Sequence, residues 1–398
     1  MLDIPKNFQF AGVSCGIKAS GNNDVSLFVT HSEATVAGVF TQNRFCAAPV
    51  TLCKERLSQG LANAVVVNSG NANACTGDEG LANANAMVNQ VAGLLHVDAS
   101  RVYVMSTGII GQQLPMEKVA TGIGAAYLQL DDGHDAFSDS VEGIMTTDKF
   151  PKCTSQNLVF VKHEGEARLI AMAKGAGMIA PNMATMLGLF LTDVAIAADH
   201  LQQLLSEVCK ESFNKISVDG HTSTNDTVLM LANGASGITL TPGTEEWTMF
   251  RNSLCESAIS LAKSICRDGE GATHVLDIHA SGLVSESDAD KIVHAVAESP
   301  LVKTAITGND PNWGRIVSAA GYAGVNFDAA KVSLAILGTT IFQDGAPIPF
   351  DAAALSGRMQ DNEEVLIELT FGEGESASNC WASDLTTEYV EFNSEYTT

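Results

Sequence analysis

The chain has 398 residues, of which 45% are hydrophobic and 17% are charged, so its composition predicts a globular protein long enough for two domains. Its 22 lysines and arginines are outnumbered by 46 aspartates and glutamates, which gives a formal net charge of −24. Because nucleic acids and anionic membranes attract basic surfaces, this balance argues against both as partners.

The cysteine and histidine spacing indicates neither a disulfide framework nor a metal site. The nine cysteines are scattered without a CxxC pair, and the nine histidines show no HExxH pattern, so we expect reduced thiols and no bound metal. The first residues, MLDIPKNFQF, lack the basic and apolar regions of a signal peptide, and no stretch approaches the ~18 apolar residues of a membrane-spanning helix. We therefore expect a cytoplasmic protein.

Apolar periodicity predicts strands and helices in irregular alternation. Strands are expected at 61–68, 101–105 and in TVLMLANG, with amphipathic helices at about 78–96, 197–213 and 245–266. The segment NLVFVKHEGEARLIAMAKG alternates around Glu164-Gly165, which predicts a β-hairpin that ends at Lys174. The apolar run MLGLFL, directly after Thr185, predicts a buried strand.

The pattern changes after about residue 280. One helix near 288–298 and strands in KVSLAILG, EEVLIELT and TTEYVEF are expected there. Irregular alternation with hairpins favours a mixed α/β fold, layered in the α+β manner, over a doubly wound parallel sheet. We expect a main catalytic domain at 1–280 and a smaller C-terminal α+β domain at 281–398.

The segment KGAGMIAPNMATML contains the strongest chemical signal. If the Thr185 hydroxyl attacks the Ala184 carbonyl in an N-to-O acyl shift and the ester is hydrolysed, the chain splits and Thr185 gains a free α-amino group. An α-amino group has an unperturbed pKa of ~7.7–8.0, so near neutral pH it can take the proton of its own hydroxyl. This is the threonine version of a nucleophile paired with a base, although an Ala-Thr pair also begins many ordinary strands.

With its surroundings, this segment resembles the self-cleavage segment of the ornithine acetyltransferase family, the bifunctional glutamate/ornithine N-acetyltransferases of arginine biosynthesis. Further matching segments, in family order, are Gly16-Ile17-Lys18, VFTQNRFCAAPV, NSGNANACTG, STGIIG, SVDGHTSTNDTVLMLANG, RDGEGATH, LVKTAITGNDPNWGRI and the terminal DLTTEYVEFNSEYTT. The resemblance thus covers essentially the whole chain. Two small departures are His274, where the family usually has a basic residue, and Ala176, where serine is commoner.

The resemblance implies a fold shared with self-processing aminopeptidases, with helical layers enclosing central β-sheets. It also implies cleavage between Ala184 and Thr185 into an alpha chain, 1–184, and a beta chain, 185–398, which assemble as an α2β2 heterotetramer. The implied reaction moves acetyl from N2-acetyl-L-ornithine to L-glutamate by a ping-pong mechanism through acetyl-Thr185. It needs no cofactor, although some members take acetyl from acetyl-CoA as a co-substrate, and the sequence does not decide between the two.

The site residues follow from the same resemblance. Thr107 and Gly108 are expected to form the oxyanion hole, because a Thr-Gly turn after a strand can aim a hydroxyl and a backbone N–H at one point; in isolation such a pair is more often a plain turn. The implied substrate-binding residues are Thr107, Lys174, Thr185, Glu270, Asn393 and Thr398. Glu270 is expected to pair with the ornithine ammonium, and the C-terminal tail to return to the site. Asn225 and Asp226 are expected to organise the surroundings.

Other functions remain open at this stage. An amidohydrolase or aminopeptidase with an N-terminal nucleophile would use the same groups but release the acyl group to water. An acetyltransferase of secondary metabolism would use other amines, and a non-catalytic binding protein would keep only the fold. The glycine-rich segments GNANACTG and TGNDPNWGR lack the GxxxxGK[ST] form of a phosphate loop, so we interpret them as turns with asparagine-capped backbones.

Overall fold

The computed structural model describes residues 2–160, 165–180 and 186–395, and this part of the chain folds into two mixed β-sheets with helices on their faces. The strands are β1 (Phe8–Val13), β2 (Val25–Phe40), β3 (Leu61–Asn71), β4 (Val102–Ile109), β5 (Lys152–Val159), β6 (Glu166–Lys174), β7 (Leu187–Thr192), β8 (Ile216–Ser217), β9 (Thr227–Ala232), β10 (Val275–Leu283), β11 (Ser333–Ile336), β12 (Thr339–Gln343), β13 (Ala346–Pro347), β14 (Glu364–Thr370) and β15 (Ser376–Ser383). The helices are α1 (Ala48–Arg56), α2 (Gly77–Leu95), α3 (Met116–Leu128), α4 (His134–Ile144), α5 (Ala198–Glu211), α6 (Glu245–Arg267), α7 (Glu286–Ala297), α8 (Pro300–Thr307), α9 (Trp313–Gly321), α10 (Ala352–Gln360) and α11 (Thr387–Glu395). None of the helices in this part of the chain combines the length and apolar character that a bilayer crossing requires.

The first sheet brings the functional segments to one place. Its strand order is β4-β3-β2-β9-β7-β6-β5, and β1 pairs with β2. β7 lies between β6 and β9, so Leu187 at its start pairs with both Lys174 and Thr227. β3 and β4 pair in parallel and set Gly70 opposite Gly108. A hydrogen bond from Lys174 to Thr107 joins the end of β6 to the end of β4.

Strands of the first sheet are buried on both faces, so their side chains alternate between two cores. In β6, Ile170 and Met172 face a core with α1 to α4, while Leu169 and Ala171 face a second core with α5 and α6. Trp381 of β15 also belongs to the second core, so α5 and α6 lie between the two sheets. The layers therefore run helices, sheet, helices, sheet and helices.

The second sheet has the order β13-β12-β11-β14-β10-β15-β8 and is also mixed. Its outer face forms a third core with α7 to α10. β8 reaches it from the middle of the chain, and β10 spans residue 280. The division into domains at 1–280 and 281–398 stays a prediction.

Most predicted elements are confirmed, among them the helices α2, α5, α6 and α7 and the antiparallel pairing of β5 with β6. The middle parts of the two glycine-rich segments, 72–76 and 308–312, connect regular elements, and there the Asn73 amide donates to the Gly80 carbonyl while the Asn312 side chain accepts the Arg315 N–H. Three expectations are wrong. The strand predicted at 101–105 does not end in a turn at STGIIG, because β4 continues to Ile109 and contains both Thr107 and Gly108. TTEYVEF is not a strand but belongs to α11, which begins where the Thr386 hydroxyl accepts the Tyr389 N–H at 3.3 Å. The region after residue 280 contains α8, α9, α10 and α11 in addition to the one predicted helix.

Candidate active site

A cavity of about 280 Å³ lies where the ends of β4 and β6 meet α11 and the loop before β9. Its lining residues are Ala72, Thr107, Gly108, Ile110, Thr146, Thr147, Lys174, Gly177, Met178, Asp219, His221, Ser223, Thr224, Asn225, Glu270, Tyr389 and Asn393. Five of the predicted site residues thus share one cavity, although they are spread over almost 290 positions of sequence. The other three, Ala184, Thr185 and Thr398, lie outside the described residues.

Thr107 and Gly108 lie at the end of β4, inside the strand, and close backbone packing fixes their position. Gly108 has a φ of 131°, and a Cβ placed on it would lie 2.3 Å from the carbonyl carbon of Gly70 on β3. Only glycine can occupy such a position without strain. The close approach holds the peptide N–H of Gly108 and the hydroxyl of Thr107 at the cavity wall, an arrangement that suits donors for a developing oxyanion.

Lys174 is a buried cation at the end of β6. Its Nζ donates to Thr146 Oγ1 at 2.7 Å and to Thr107 Oγ1 at 3.2 Å, and it lies 3.9 Å from Asp148 Oδ2. Burial lowers the pKa of the Lys174 amine, while the Asp148 carboxylate favours its charged form. The hydroxyls and the carboxylate therefore place an ammonium group directly against the end of β4 that carries Thr107 and Gly108.

Sequence reasoning missed the buried charges behind Lys174. Asp148 Oδ1 accepts both the Lys152 ammonium and the Gly175 N–H at 2.7 Å, and Lys152 also pairs with Asp268 at 2.5 Å. Burial alone would raise the pKa of the Asp148 carboxyl, but Lys174 and Lys152 hold it well below its usual range. The sequence signal available for this pair was an aspartate four residues before a lysine, and the same spacing is common among exposed ion pairs on helices.

Glu270 stands in the cavity wall after α6 with its carboxylate already oriented. Oε1 accepts the Thr147 hydroxyl at 2.8 Å, and Oε2 accepts the Asn393 amide at 2.9 Å. A Cβ on Gly177 would lie 2.5 Å from this carboxylate, so glycine is needed to leave it room. Across the described part of the chain, no lysine or arginine forms an ion pair with Glu270, although its charge does favour the charged form of Lys174 across the cavity.

Asp219 and Tyr389, also missed from the sequence, connect α11 to the segment that leads to residue 181. Asp219 accepts the N–H groups of Met178 at 2.7 Å and Ile179 at 3.0 Å, and the Tyr389 hydroxyl at 3.3 Å. Met178 has a φ of 58°, which is unfavourable for a side chain with a Cβ. The Asp219 carboxylate stabilises this conformation just before the predicted cleavage site.

Asn225 and Asp226 hold the backbone around the cavity. The Asn225 side chain donates to the carbonyls of Ala72 at 2.6 Å and Ser106 at 2.8 Å. Asp226 Oδ1 accepts the N–H of Met186, the residue that follows Thr185, at 3.2 Å. These contacts tie the start of β7 to β4, the strand that carries Thr107 and Gly108.

The site is suited to acyl transfer. It combines backbone and hydroxyl donors with a buried ammonium, and a threonine stands one residue before Met186.

The sequence profile of the ArgJ family matches residues 9–398, and the chain belongs to this family. It is 49% identical over 397 residues to the arginine biosynthesis bifunctional protein ArgJ of Rhodopirellula baltica, covering 99% of this chain and 96% of that protein. The ArgJ protein of Nitratidesulfovibrio vulgaris is 42% identical over 400 residues, covering 100% of both.

The fold is also similar to that of a solved structure of this family. The crystal structure of the arginine biosynthesis bifunctional protein of Bacillus halodurans is 37% identical, with a TM-score of 0.52, and the match covers 53% of this chain and 100% of that chain. The resemblance and the mixed α/β fold predicted from the sequence are both confirmed.

Proposed function

We propose that the chain is a self-cleaving acetyltransferase of arginine biosynthesis that moves the acetyl group of N2-acetyl-L-ornithine to L-glutamate through an acetyl ester on Thr185. The observation that supports this most directly is the meeting of Thr107, Gly108, Lys174 and Glu270 in one cavity. Leu187 pairs with Lys174 in the sheet, so the covalent chain leads from this cavity to residue 185 within two positions.

Maturation begins when the Thr185 oxygen attacks the Ala184 carbonyl carbon. The C–N bond breaks, the nitrogen takes the hydroxyl proton, and an ester joins Ala184 to the Thr185 oxygen. Water then hydrolyses the ester, which leaves a carboxylate on Ala184 and a free amine on Thr185. The Gly108 N–H and the Thr107 hydroxyl stabilise the oxyanion in both steps; one such donor is worth about 10²–10³ in rate.

Acetyl transfer uses the same donors. The Thr185 amine takes the proton of its own hydroxyl, the oxygen attacks the acetyl carbonyl, and ornithine leaves with that proton on its amine. The amine of glutamate then attacks the acetyl ester and restores the Thr185 hydroxyl. Glu270 pairs with the side-chain ammonium of ornithine, because its carboxylate lines the cavity and is oriented by two hydrogen bonds.

Lys174 has a second role in this scheme. A buried ammonium close to the start of β7 disfavours a second positive charge, so it lowers the pKa of the new α-amine and keeps a larger fraction neutral. Asn393 and Thr398 complete the substrate contacts from the C-terminal tail. The exchange needs no cofactor, and whether acetyl-CoA also donates acetyl is left to the assay below.

We further propose that the fragments 1–184 and 185–398 stay associated after cleavage. β6 from the first fragment pairs with β7 from the second over six residues, and β2 pairs with β9 over another six. Separating the fragments would break these ladders and open two cores. The assembly is proposed to be an α2β2 heterotetramer of the cytoplasm, and sedimentation of the purified protein tests its size.

Intact mass and N-terminal sequencing test the cleavage. We expect two fragments, with the second beginning Thr185-Met186-Leu187. Thr185→Ala should remain a single chain and lose acetyl transfer, while Thr121→Ala, a matched change on the exposed face of α3, should retain both. Transfer that persists in Thr185→Ala would remove this threonine from the mechanism.

Product analysis separates transfer from hydrolysis. Purified protein is given acetylornithine with and without glutamate, and acetylglutamate and acetate are measured. We expect acetylglutamate to dominate once glutamate is present. Acetate formation unaffected by glutamate would favour the amidohydrolase alternative, and the same assay with acetyl-CoA in place of acetylornithine determines whether it serves as donor.

A further inference from the structure

The Glu270 carboxylate and the Asn393 amide, which meet at 2.9 Å, reach the cavity from two segments beside the second sheet. Residues 268–274 lead from α6 into β10, and residues 384–386 lead from β15 into α11. β10 and β15 are neighbouring antiparallel strands, so the start of one lies beside the end of the other. Both segments therefore leave the sheet at the same place.

Asp384 joins these two segments. Its carboxylate accepts the Thr273 N–H at 2.9 Å and the Thr273 hydroxyl at 2.6 Å, and its own N–H donates to the His274 carbonyl at 3.1 Å. Asp384 is only 4% exposed. Burial alone would raise the pKa of its carboxyl, but hydrogen bonds from His274 and Thr273 hold it below its usual range. A buried carboxylate with several donors is held in one orientation, so it fixes one segment against the other.

The segment that contains Asp384 is in turn fixed to α8. The buried Lys303 ammonium donates to the Ser383 carbonyl. One turn later, the Thr307 hydroxyl lies 3.1 Å from the Asp384 carboxylate and 2.9 Å from the Leu385 carbonyl. Both α8 residues stand in LVKTAITGNDPNWGRI, a segment to which the proposed reaction assigns no role. α8 is therefore the support against which Asp384 holds the loop of Glu270.

Gly271, the residue after Glu270, lets this loop approach α11 closely. Gly271 has a φ of 72°, and a Cβ placed on it would lie 2.4 Å from the backbone nitrogen of Tyr389. Its carbonyl accepts the Thr386 hydroxyl at 2.7 Å. Because the loop and the first turn of α11 are in direct contact, a displacement of either one moves Glu270 relative to Asn393.

We propose that Asp384 is a positioning residue for the site that receives the ornithine side chain: it holds the loop of Glu270 against the start of α11, so that Glu270 and Asn393 face each other before a substrate enters. Asp384 lies outside the cavity lining and reaches Glu270 only through the loop that contains Thr273. It orients the Glu270 carboxylate and leaves the oxyanion donors at the end of β4 in place. This role rests on the proposed pairing of Glu270 with ornithine.

Three substitutions in the full-length chain test the positioning role. Asp384→Asn keeps the size of the side chain but removes its charge and one acceptor oxygen. Thr273→Val keeps the branched shape and removes the hydroxyl that Asp384 accepts. Asp193→Asn is the matched control, because Asp193 is 0% exposed and accepts the N–H groups of Lys6 and Arg168. It follows the far end of β7, about 20 Å from the start of that strand.

We expect all three variants to mature into two fragments. Asp384→Asn and Thr273→Val should raise KM for acetylornithine by about 10-fold and change kcat by less than about 3-fold, because binding is weakened while the oxyanion donors stay in place. The two changes together should raise KM no further than Asp384→Asn alone, since both break the same contact. Asp193→Asn should keep the wild-type KM, whatever its effect on thermal stability.

A wild-type KM in mature Asp384→Asn and Thr273→Val would overturn the proposal, and so would an equal rise of KM in Asp193→Asn. If Asp384→Asn fails to mature, Thr273→Val decides the question in the same way, because the loss of one hydroxyl perturbs folding less than the loss of a buried charge.

A measurement without substrate separates the positioning role from the proposed reaction. Hydrogen–deuterium exchange is compared in chains that carry Thr185→Ala, so that cleavage does not differ between samples. Asp384→Asn should speed amide exchange in residues 268–274 and 387–395 by about 10-fold or more, while β3 and β4 keep their wild-type rates. If this pattern appears but the wild type transfers no acetyl group, Asp384 still positions Glu270 and only the assigned substrate is wrong. Faster exchange spread evenly over the chain, or unchanged exchange in 268–274, would reject the positioning role.

Discussion

Replacing Asp148 by asparagine tests whether the buried charges beside the cavity position Lys174. In the native chain two buried lysines balance two buried aspartates: Lys152, Lys174, Asp148 and Asp268. Asp148→Asn changes the side-chain volume little but leaves this buried group of four side chains with a net charge of +1. Lys174 loses the carboxylate oxygen 3.9 Å from its Nζ, and Lys152 loses one at 2.7 Å.

The magnitude follows from burial. The side chains of Asp148 and Lys152 are both 0% exposed, so water does not screen the uncompensated charge. Removing one partner of a buried ion pair costs about 3–5 kcal/mol, and we expect Asp148→Asn to lose about that much stability. Adding Lys152→Met restores neutrality. The double variant should therefore be more stable than the two single changes predict, with a coupling of about 0.5–3 kcal/mol.

The Asp148 carboxylate also makes the stability of the fold depend on pH, and the direction of that dependence follows from its pKa. Its pKa lies below the ordinary ~3.9 of aspartate. The stability it contributes is therefore fully present above that pH and is lost as the pH falls through the folded-state value. The Tm difference between the parent chain and Asp148→Asn should be constant from about pH 5 to 8 and narrow below about pH 4.

Thermal and urea unfolding should be measured on chains that also carry Thr185→Ala, so that cleavage does not differ between samples. Acetyl transfer is measured separately in the chains that keep Thr185, and should fall with Asp148→Asn because Lys174 is displaced. A stability change within about 0.5 kcal/mol, the range of ordinary surface substitutions, would refute the view that these charges act as one buried network. So would strict additivity in the double variant.

Three further substitutions test individual walls of the cavity by steady-state acetyl transfer. Gly108→Ala places a methyl group 2.3 Å from the backbone of β3 and should lower kcat by about 10²–10³ through the displaced oxyanion donor, whereas Gly124→Ala, which meets nothing within 4 Å, should be neutral. Gly177→Ala pushes the Glu270 carboxylate aside and should raise KM for acetylornithine by about 10-fold or more, with kcat less affected; an unchanged KM would contradict the role of Glu270. Asn393→Ala removes one hydrogen bond to Glu270 and should raise the same KM by a smaller factor, about 3- to 10-fold.

The site residues that were predicted can be recognised from sequence motifs, whereas those that were missed can be recognised only from contacts in the folded structure. Thr107, Lys174 and Glu270 stand in motifs that a resemblance over the whole chain identifies. The roles of Thr147 and Asp219 come from side-chain contacts across 123 and 170 positions of sequence. No local pattern of charge or periodicity encodes such a contact, so it emerges only when the strands and helices are packed.

The helices α8, α9 and α10, which were not predicted, begin with capping residues that an analysis of apolar periodicity does not consider. Ser299 directly precedes Pro300, a common start of a helix, and its hydroxyl accepts the Val302 N–H. Asn312 and Asp351 cap α9 and α10 in the same way. These helices have only eight or nine residues, so each presents barely two turns of pattern, and the capping residue is the stronger evidence.

The helix α11 shows a different limit of sequence reasoning. Its β-branched and aromatic residues favour a strand, but none of its residues is buried, so no apolar face determines its structure. It is held by polar contacts instead: Thr386 to the Gly271 carbonyl, Tyr389 to Asp219, and Asn393 to Glu270. Each partner lines or adjoins the cavity. The position of α11 therefore follows from the polar groups of the site, which exist only once the rest of the chain has folded.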